Sequence, residues 1–409
     1  MSAAERREVT DVERFESECR AWLAAHYPLA PVKQRALFAW GEGPDDVPIF
    51  EEVDQDAERD GIERVRQWRR ELWDGGLGWI AGPPAYGGRG LSAAHQQAFD
   101  RAARNYLVPG NRKLTISLGM VAPTILAHGT PSAKARYLEA LHDGRLIACQ
   151  LFSEPGAGSD LASVTARAVR DGSTWRVQGQ KVWTSGAHYS DIGLLLCRTG
   201  DDSRHRNLTM FIVDMHAPGV DVRPLRQMTG GAAFNEVFLD DVAIDDDDRL
   251  GDVDDGWRVA LTTLSHERAA IGGEGFGGSG LLSIDRYVVM AKALGRDRDP
   301  VVRQRLARLA TELRVARLNG LRATQARRAG KQPGPEGSLG KLALSSNYQR
   351  ISELVSTILG PSLIADTGAW GTYAWASFVL GAPGMRIGGG TDEVMKNVLA
   401  ERVLGLPKG

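Results

Sequence analysis

The stretch LFSEPGAGSD, Leu151 to Asp160, decides how this chain is read. An apolar pair leads in, as at the end of a strand. Pro155 cannot donate to a ladder and stops it, and Gly156 and Gly158 permit positive φ or a close approach of backbone to another molecule. Exposed N–H groups and the Ser153 and Ser159 hydroxyls can then hold a polar ligand. Spacing alone equally allows a plain glycine-rich turn. The stretch is not a Walker loop, because no Gly-Lys-Ser/Thr follows it. It is not the GxGxxG dinucleotide fingerprint either, because no strand–helix–strand unit surrounds it.

The hydrophobic period differs on the two sides of this stretch. From residue 1 to about 147 it is helical: Val12, Phe15, Cys19, Trp22 and Leu23 recur at three to four residues, as do Ile62, Val65, Trp68 and Leu72. PPAYGG, Pro83 to Gly88, reads as a loop. From about 148 to 255 the period is two. Ala166 and Ala168 alternate with Arg167, Asp171-Gly172 marks a turn, and Trp175 opens the returning strand. Gly193 to Cys197, Met210 to Val213 and Glu236 to Leu239 are further strand-like runs, which predicts a small β barrel or sandwich. From about 256 the helical period returns. Val302, Leu306, Leu309, Leu313 and Ala316 form an apolar stripe opposite Arg303, Arg305, Arg308 and Arg314, a face read as solvated. GKQPGPEGS, Gly330 to Ser338, reads as a loop between helices. The expected class is α+β: a helical domain over 1–147, a β domain over 148–255 and a helical bundle over 256–409.

The whole chain sets bounds on function. Its 409 residues are 43% hydrophobic and 25% charged, with net charge −1, so no basic field points to nucleic acid. The three cysteines, Cys19, Cys149 and Cys197, lie far apart without a CxxC, so neither a disulfide framework nor a zinc site is expected. The N-terminus lacks the apolar run of a signal peptide, and apolar runs such as Leu194 to Cys197 are too short to span a bilayer. The simple reading is a cytoplasmic protein with no metal and no membrane span.

Two more stretches carry chemistry. In GQKVWTSGAHYSD, Gly179 to Asp191, Trp183 can lie against a flat ring system with Ser185 donating a hydrogen bond, or it can be a core tryptophan. His188 reads as an ordinary polar residue. In MRIGGGTDEVMKNVLAERVLG, Met385 to Gly405, three glycines run into Thr391-Asp392-Glu393 and a helix.

Taken in order, SEPGAGSD, KVWTSG and GGGTDEVMKNVLAERVLG resemble the acyl-CoA dehydrogenase family, and the resemblance covers nearly the whole chain. It implies an N-terminal helical domain, a middle β domain and a C-terminal four-helix bundle. It also implies FAD as cofactor and oxidation of an acyl-CoA thioester to 2-enoyl-CoA. A base takes the α-proton, and hydride passes from the β-carbon to flavin N5. Electrons go on to an electron-transfer flavoprotein, and members are usually homodimers or homotetramers. Carried over residue by residue, the cofactor contacts are Leu151, Phe152, Ser153, Gly158, Ser159, Trp183, Thr184, Ser185, Arg296, Thr391 and Glu393. The substrate contacts are Ser159, Arg268, Gly389 and Gly390.

Many members place the catalytic Glu just before the final Gly-Thr; here that position is Gly389, which offers only a backbone N–H, an oxyanion donor in the family. The isovaleryl- and long-chain-type branch instead carries its Glu in a Glu-Arg pair on another helix. LTTLSHERAAIGG, Leu261 to Gly273, supplies Glu267 and Arg268 in that position. Alone, such a pair is a salt bridge on a solvated face; with the loop Glu missing, the resemblance makes Glu267 the base. Beyond it, IGGEGFGGSGLL, Ile271 to Leu282, holds six glycines, read either as close helix packing or as a widened acyl pocket for a branched, long or ring-bearing group. Two family motifs are absent. AKALGRDRDP offers Arg296 and Arg298 where an Arg-x-x-Phe-Gly stretch usually stands. ILGPSL, Ile358 to Leu363, keeps only Gly360 of a GGxG segment. The missing flavin motifs leave open a heteromeric assembly, and the missing C-terminal Glu a same-fold oxidase or monooxygenase; a non-catalytic subunit is the reading from another class.

Overall fold

In the computed structural model, residues 3–31, 39–42, 45, 47, 49–50, 54–201, 204–271, 280–328 and 334–408 are described. Five helices come first: α1 (Ala3–His26), α2 (Gln55–Asp74), α3 (Ala93–Ala103), α4 (Ala122–His128) and α5 (Pro131–His142). Asp54 starts α2 by accepting hydrogen bonds from the Asp56 and Ala57 N–H groups, both at 3.0 Å, which satisfies two of the donors every helix start leaves over. Phe15, Cys19 and Leu23 of α1 pack with Trp68 and Leu72 of α2 and Phe99 of α3. Each such side chain, taken fully out of water, contributes about 1.5–3 kcal/mol. PPAYGG forms a 3₁₀ turn, Pro84–Tyr86. A π-helical turn, Ser117–Val121, precedes α4.

Eight strands follow: β1 (Ala148–Leu151), β2 (Arg167–Asp171), β3 (Thr174–Ser185), β4 (Ile192–Arg198), β5 (Leu208–Asp214), β6 (Val220–Leu225), β7 (Phe234–Asp245) and β8 (Arg249–Leu250). They form one sheet ordered β6-β7-β3-β2-β4-β5-β8, with β1 parallel to β4. Its halves meet at a single parallel bridge, Arg167 with Arg198. The sheet folds over there, since Trp175 on β3 reaches Phe211 on β5 with ring centroids 5.3 Å apart, although two strands lie between them in the order and a flat sheet spaces neighbours by about 4.8 Å. Alternation assigns each face: Leu195 and Cys197 enter the core between the halves, while Leu194 and Leu196 pack toward α4, α5 and α6. Strands β6 and β8 escape the sequence reading. The first, VDVRPL, contains Pro224 and buries none of its side chains fully, and the second has two residues.

The chain then returns to helices: α6 (Gly256–Ile271), α7 (Ile284–Ala293), α8 (Pro300–Arg328), α9 (Ser338–Leu359), α10 (Trp375–Gly381) and α11 (Asp392–Arg402). Val302 and Leu309 of the α8 stripe are buried against Tyr348, Ile351 and Val355 of α9 and Trp375 and Phe378 of α10. Arg303, Arg308 and Arg314 lie on the exposed face. Of the expected loop before α9, Pro335–Gly337 form a short 3₁₀ turn, and residues 330–333 lie outside the described residues. Helix α6 joins the two regions by packing on β4, β5, α4 and the π turn as well as on α9.

Candidate active site

Leu151 ends β1 with its side chain in the core, and Phe152 is buried beside Ala157 and Leu161. The loop beyond is pinned from below by a residue pair the sequence reading left unassigned. Lys181 on β3 is fully buried, and its ammonium donates to Glu154 Oε1 at 2.8 Å, the Leu196 carbonyl at 2.7 Å and the Phe152 carbonyl at 3.2 Å. Glu154 also accepts from the Thr165 N–H, the Thr165 hydroxyl and the Ala166 N–H, at 2.7, 2.8 and 2.9 Å. Burial by itself would raise the Glu154 carboxyl, but the Lys181 charge and these donors outweigh it and hold it below its ordinary value. A buried charge pair is tolerable only when satisfied this fully. With Glu154 and Phe152 held, Ser153 is half-buried at the rim, and Gly158 and Ser159 stand exposed. A Cβ at Gly156 or Gly158 would meet nothing within 4 Å, so their use is backbone access rather than tight packing.

The same pair brings the second motif alongside the first. The Val182 N–H donates to the Ser153 carbonyl at 2.9 Å. The register of β3 against β7 then slips between Lys181 and Thr184. Trp183 sits in that irregularity with φ 60°, a conformation that costs a bulky residue energy. Its indole is 57% exposed, edge-on to Phe234 at 5.9 Å, so of the two sequence readings the core one is excluded. Thr184 is buried, and its hydroxyl has no hydrogen-bond partner among the described residues. Ser185 is half-buried opposite Phe234. His188, just past Gly186, bonds Asn235 Oδ1 at 3.0 Å and Glu58 Oε2 on α2 at 2.7 Å. It is thus a tie between the helical region and β7.

Glu267 lies on the face of α6 that turns inward. Val259, Ala260 and Thr263 are buried, and Glu267 continues the stripe four residues on from Thr263. Thr263 shares a hydrogen bond with Thr124 at 3.0 Å and Thr262 one with His128 at 2.8 Å, which fixes the rotation of α6 on α4. The Glu267 carboxylate is half-buried and accepts from Gln150 Nε2 of β1 at 3.5 Å. It is therefore not on a solvated face. The side chain of Arg268, and residues 272–279 of the glycine-rich segment, lie outside the described residues.

In the C-terminal loop, Gly389 and Gly390 have φ of 67° and 91°. A Cβ at Gly390 would come within 2.5 Å of Met395 Cε. Thr391 caps α11, its hydroxyl accepting from the Val394 N–H at 3.1 Å. Glu393 is exposed. Asp392, which sequence reasoning passed over, is buried and accepts from Ser345 Oγ at 2.6 Å and Arg386 Nε at 2.8 Å, with Lys341 Nζ 3.6 Å away. The loop is thereby anchored to α9. Arg296 follows α7 and pairs with Asp299 at 3.0 Å, and Gly360 ends α9 with φ 52°. The structure thus joins the first two motifs directly and sets Glu267 beside the strand that leads into them. The third motif is tied to α9, and Arg296 is engaged by Asp299 of its own loop and by the Thr357 carbonyl of α9.

The edge around Trp183 presents an exposed indole, an unsatisfied hydroxyl and an open glycine loop, an arrangement that suits a flat ring system. The comparisons give the class its name. The acyl-CoA dehydrogenase N-terminal domain matches residues 46–145, the middle domain 149–242 and the C-terminal domain 254–404. The chain belongs to the acyl-CoA dehydrogenase family and is an FAD-dependent enzyme of that family. It is 36% identical over 403 residues to acyl-CoA dehydrogenase IpdE1 of Mycobacterium tuberculosis, with 97% of this chain and 98% of the relative covered. Among solved structures it resembles the Tcur3481-Tcur3483 steroid ACAD, with a TM-score of 0.72, 25% identity and 98% of each chain covered. It also resembles a chain of the ChsE4-ChsE5 complex from M. tuberculosis, with a TM-score of 0.69, 25% identity and 98% of each chain covered. Trp183, the free Thr184 hydroxyl and the open loop suit the ring system of FAD. No helix among the described residues is long and apolar enough to cross a membrane.

Proposed function

We propose that the chain oxidises a bulky, ring-bearing acyl-CoA to its 2-enoyl-CoA, with Glu267 as the base. The observation that carries this is the Glu267 carboxylate on the inward face of α6, beside the strand that feeds the glycine loop. Glu267 takes the α-proton: the C–H bond breaks, an O–H bond forms on the carboxylate, and the electron pair enters the new Cα=Cβ bond. The Gly389 and Gly390 N–H groups hold the thioester carbonyl oxygen, where enolate charge develops, Ser159 holds the CoA part, and Arg268 is assigned to substrate binding. FAD, when bound, supplies the acceptor for the β-hydride. Leu151, Phe152, Ser153, Gly158, Ser159, Trp183, Thr184 and Ser185 hold it from the β region, and Thr391, Glu393 and Arg296 from the bundle. Electrons then leave to an electron-transfer flavoprotein in the cytoplasm. The ring-bearing substrate class rests on the solved relative described as a steroid enzyme and on the glycine run at 271–282.

The test is an anaerobic visible spectrum of the purified protein before and after a panel of acyl-CoAs. The flavin band is expected to bleach with a cyclic acyl-CoA and far less with butyryl-CoA; a strong butyryl preference overturns the substrate class. Glu267→Gln should keep the flavin and slow its reduction by roughly 10²–10⁴-fold, the usual contribution of a general base. A second reading, one subunit of a heteromer rather than a homodimer or homotetramer, is supported by the Arg296–Asp299 pairing and the reduced Gly360 segment. It predicts a chain that takes up little FAD until a different subunit is added.

A further inference from the structure

We propose that Gln150 is a positioning residue for the base: its side-chain amide holds the Glu267 carboxylate in its ionised, proton-accepting form and in register with the glycine loop. The inference rests on the reading of Glu267 as the base. Three observations support it. First, Gln150 Nε2 lies 3.5 Å from Glu267 Oε2 across 117 residues of chain. An ionised carboxylate has only acceptors, so the amide presents its N–H to it. The separation is at the long end for a hydrogen bond, as is usual for a catalytic contact before substrate closes the site. Second, both partners are held. At the head of β1, Ser117 Oγ of the π turn accepts from the Ala148 N–H at 2.8 Å, and Gln150 stands in register with Leu194 of β4. Thr262 and Thr263 fix α6 from the other side, and the π turn packs between β1 and α6. Third, Gln150 is the residue next but one to Phe152, so one short strand carries both the cofactor loop and the donor to the base. A shift of β1 moves the two together.

A hydrogen bond donated to a carboxylate favours the charged form, so its loss makes the base harder to ionise. Catalysis needs the ionised form, hence the acidic limb of the pH profile should move to higher pH when the bond is removed. Gln150→Met leaves unchanged the ionisable groups described on the elements packed against β1 and α6. On α6, His266 is kept from its proton by burial, and on α4, His128 is so by burial and by Arg258. Burial pushes the thiols of Cys149 on β1 and Cys197 on β4 up to about 12. Arg198 of β4 is engaged by the Val164 and Ala162 carbonyls, and exposed Asp214 of β5 accepts from the His216 N–H. On α9, Lys341 pairs with Asp392, Glu353 with Arg305 and Arg350 with Glu312, and Tyr348 is held protonated by burial.

The experiment measures kcat/KM against pH for the flavin-loaded wild type, Gln150→Met and Gln150→Glu, using an acyl-CoA that bleaches the wild-type flavin. An infrared titration of the protonated-carboxyl band that disappears in Glu267→Gln runs alongside. Gln150→Met should move the acidic limb and the infrared titration up by about one pH unit, the size of one lost charge-assisted hydrogen bond. Gln150→Glu should move both further, because a like charge is added. An unmoved limb in both variants overturns the proposal, as does a loss of rate with no change in profile, which is what a packing defect produces. If Glu267→Gln reduces its flavin at the wild-type rate, the base assignment fails first and the role of Gln150 falls with it. If that variant is slow but the Gln150 profiles match wild type, only the role of Gln150 fails.

Discussion

Lys181 places an ammonium among three oxygens with no access to water, and two of those oxygens belong to the stretch Phe152 to Glu154. Removing one member of such a pair leaves the other charged and buried, which costs about 3–5 kcal/mol, whereas removing both is often close to neutral. Lys181→Met should therefore lower the urea unfolding midpoint sharply, and Lys181→Met with Glu154→Gln should recover most of the loss. A double-variant loss equal to the sum of the Lys181→Met and Glu154→Gln losses would show that the pair is not coupled. The pH sign is set by Glu154, whose carboxyl is held below its ordinary value. Its contribution is present above the unfolded-state value and is lost as pH falls through the folded one. Glu267 is half-buried, and the net effect of one hydrogen bond to it is best read from a pH profile.

Helix α11 shows how an element constrains a site without supplying a reactive group. Its first turn is fixed twice, by the Thr391 cap and by Asp392 held to Ser345 and Arg386. Gly389 and Gly390, just before it, are therefore held at positive φ by an anchored helix start. Thr391→Ala should cost about 1 kcal/mol, the usual effect of losing an N-cap, and Thr391→Ser should cost far less. Thermal unfolding of the FAD-free protein reads this separately from any cofactor contact. An unchanged midpoint in Thr391→Ala would mean that Asp392 alone suffices to start the helix. Helix α6 works the other way, for its rotation is set by Thr262 and Thr263 against α4, and that rotation turns Glu267 inward.

Across the whole molecule, α2 is tied to the β region at two points. Arg66 donates to Asp191 at 2.7 Å and to the Gly144 and Arg145 carbonyls. His188 joins Glu58 to Asn235, with Lys113 3.8 Å from Glu58. The hydrogen bond to Glu58 is the chief reason that the His188 imidazole holds its proton above its ordinary value; burial opposes it. A group raised in this way stabilises fully below its unfolded-state value, and the contribution disappears as pH rises through the folded one. Wild-type thermal stability should thus decline, as pH rises above the ordinary histidine value of about 6.5, more steeply than that of His188→Gln. Parallel curves would show that the tie carries no net weight. Since β3 and β7 meet here beside Trp183, this link also connects the outer helices to the rim of the site.

Local pattern by itself determined the order of helices, strands and helices, because a period of 3.6 or 2 is written in consecutive residues. It equally marked Phe15, Trp68, Leu309 and Leu195 as core, since alternation and helical spacing assign faces without knowledge of partners. Three short motifs in order were enough for the family. What the chain alone does not display is pairing at a distance. Glu154 and Lys181 stand 27 residues apart, and only the fold of β3 over the glycine loop shows that one exists to neutralise the other. Trp183 is exposed because a slip in register lifts it to positive φ, an event that no periodicity records. Glu267 is drawn off the solvated face that its Glu-Arg pairing suggests by the packing of α6 on α4 and the π turn, and Gln150 meets it across 117 residues. Burial and charge compensation are properties of neighbours in space, and only the tertiary structure decides who those neighbours are.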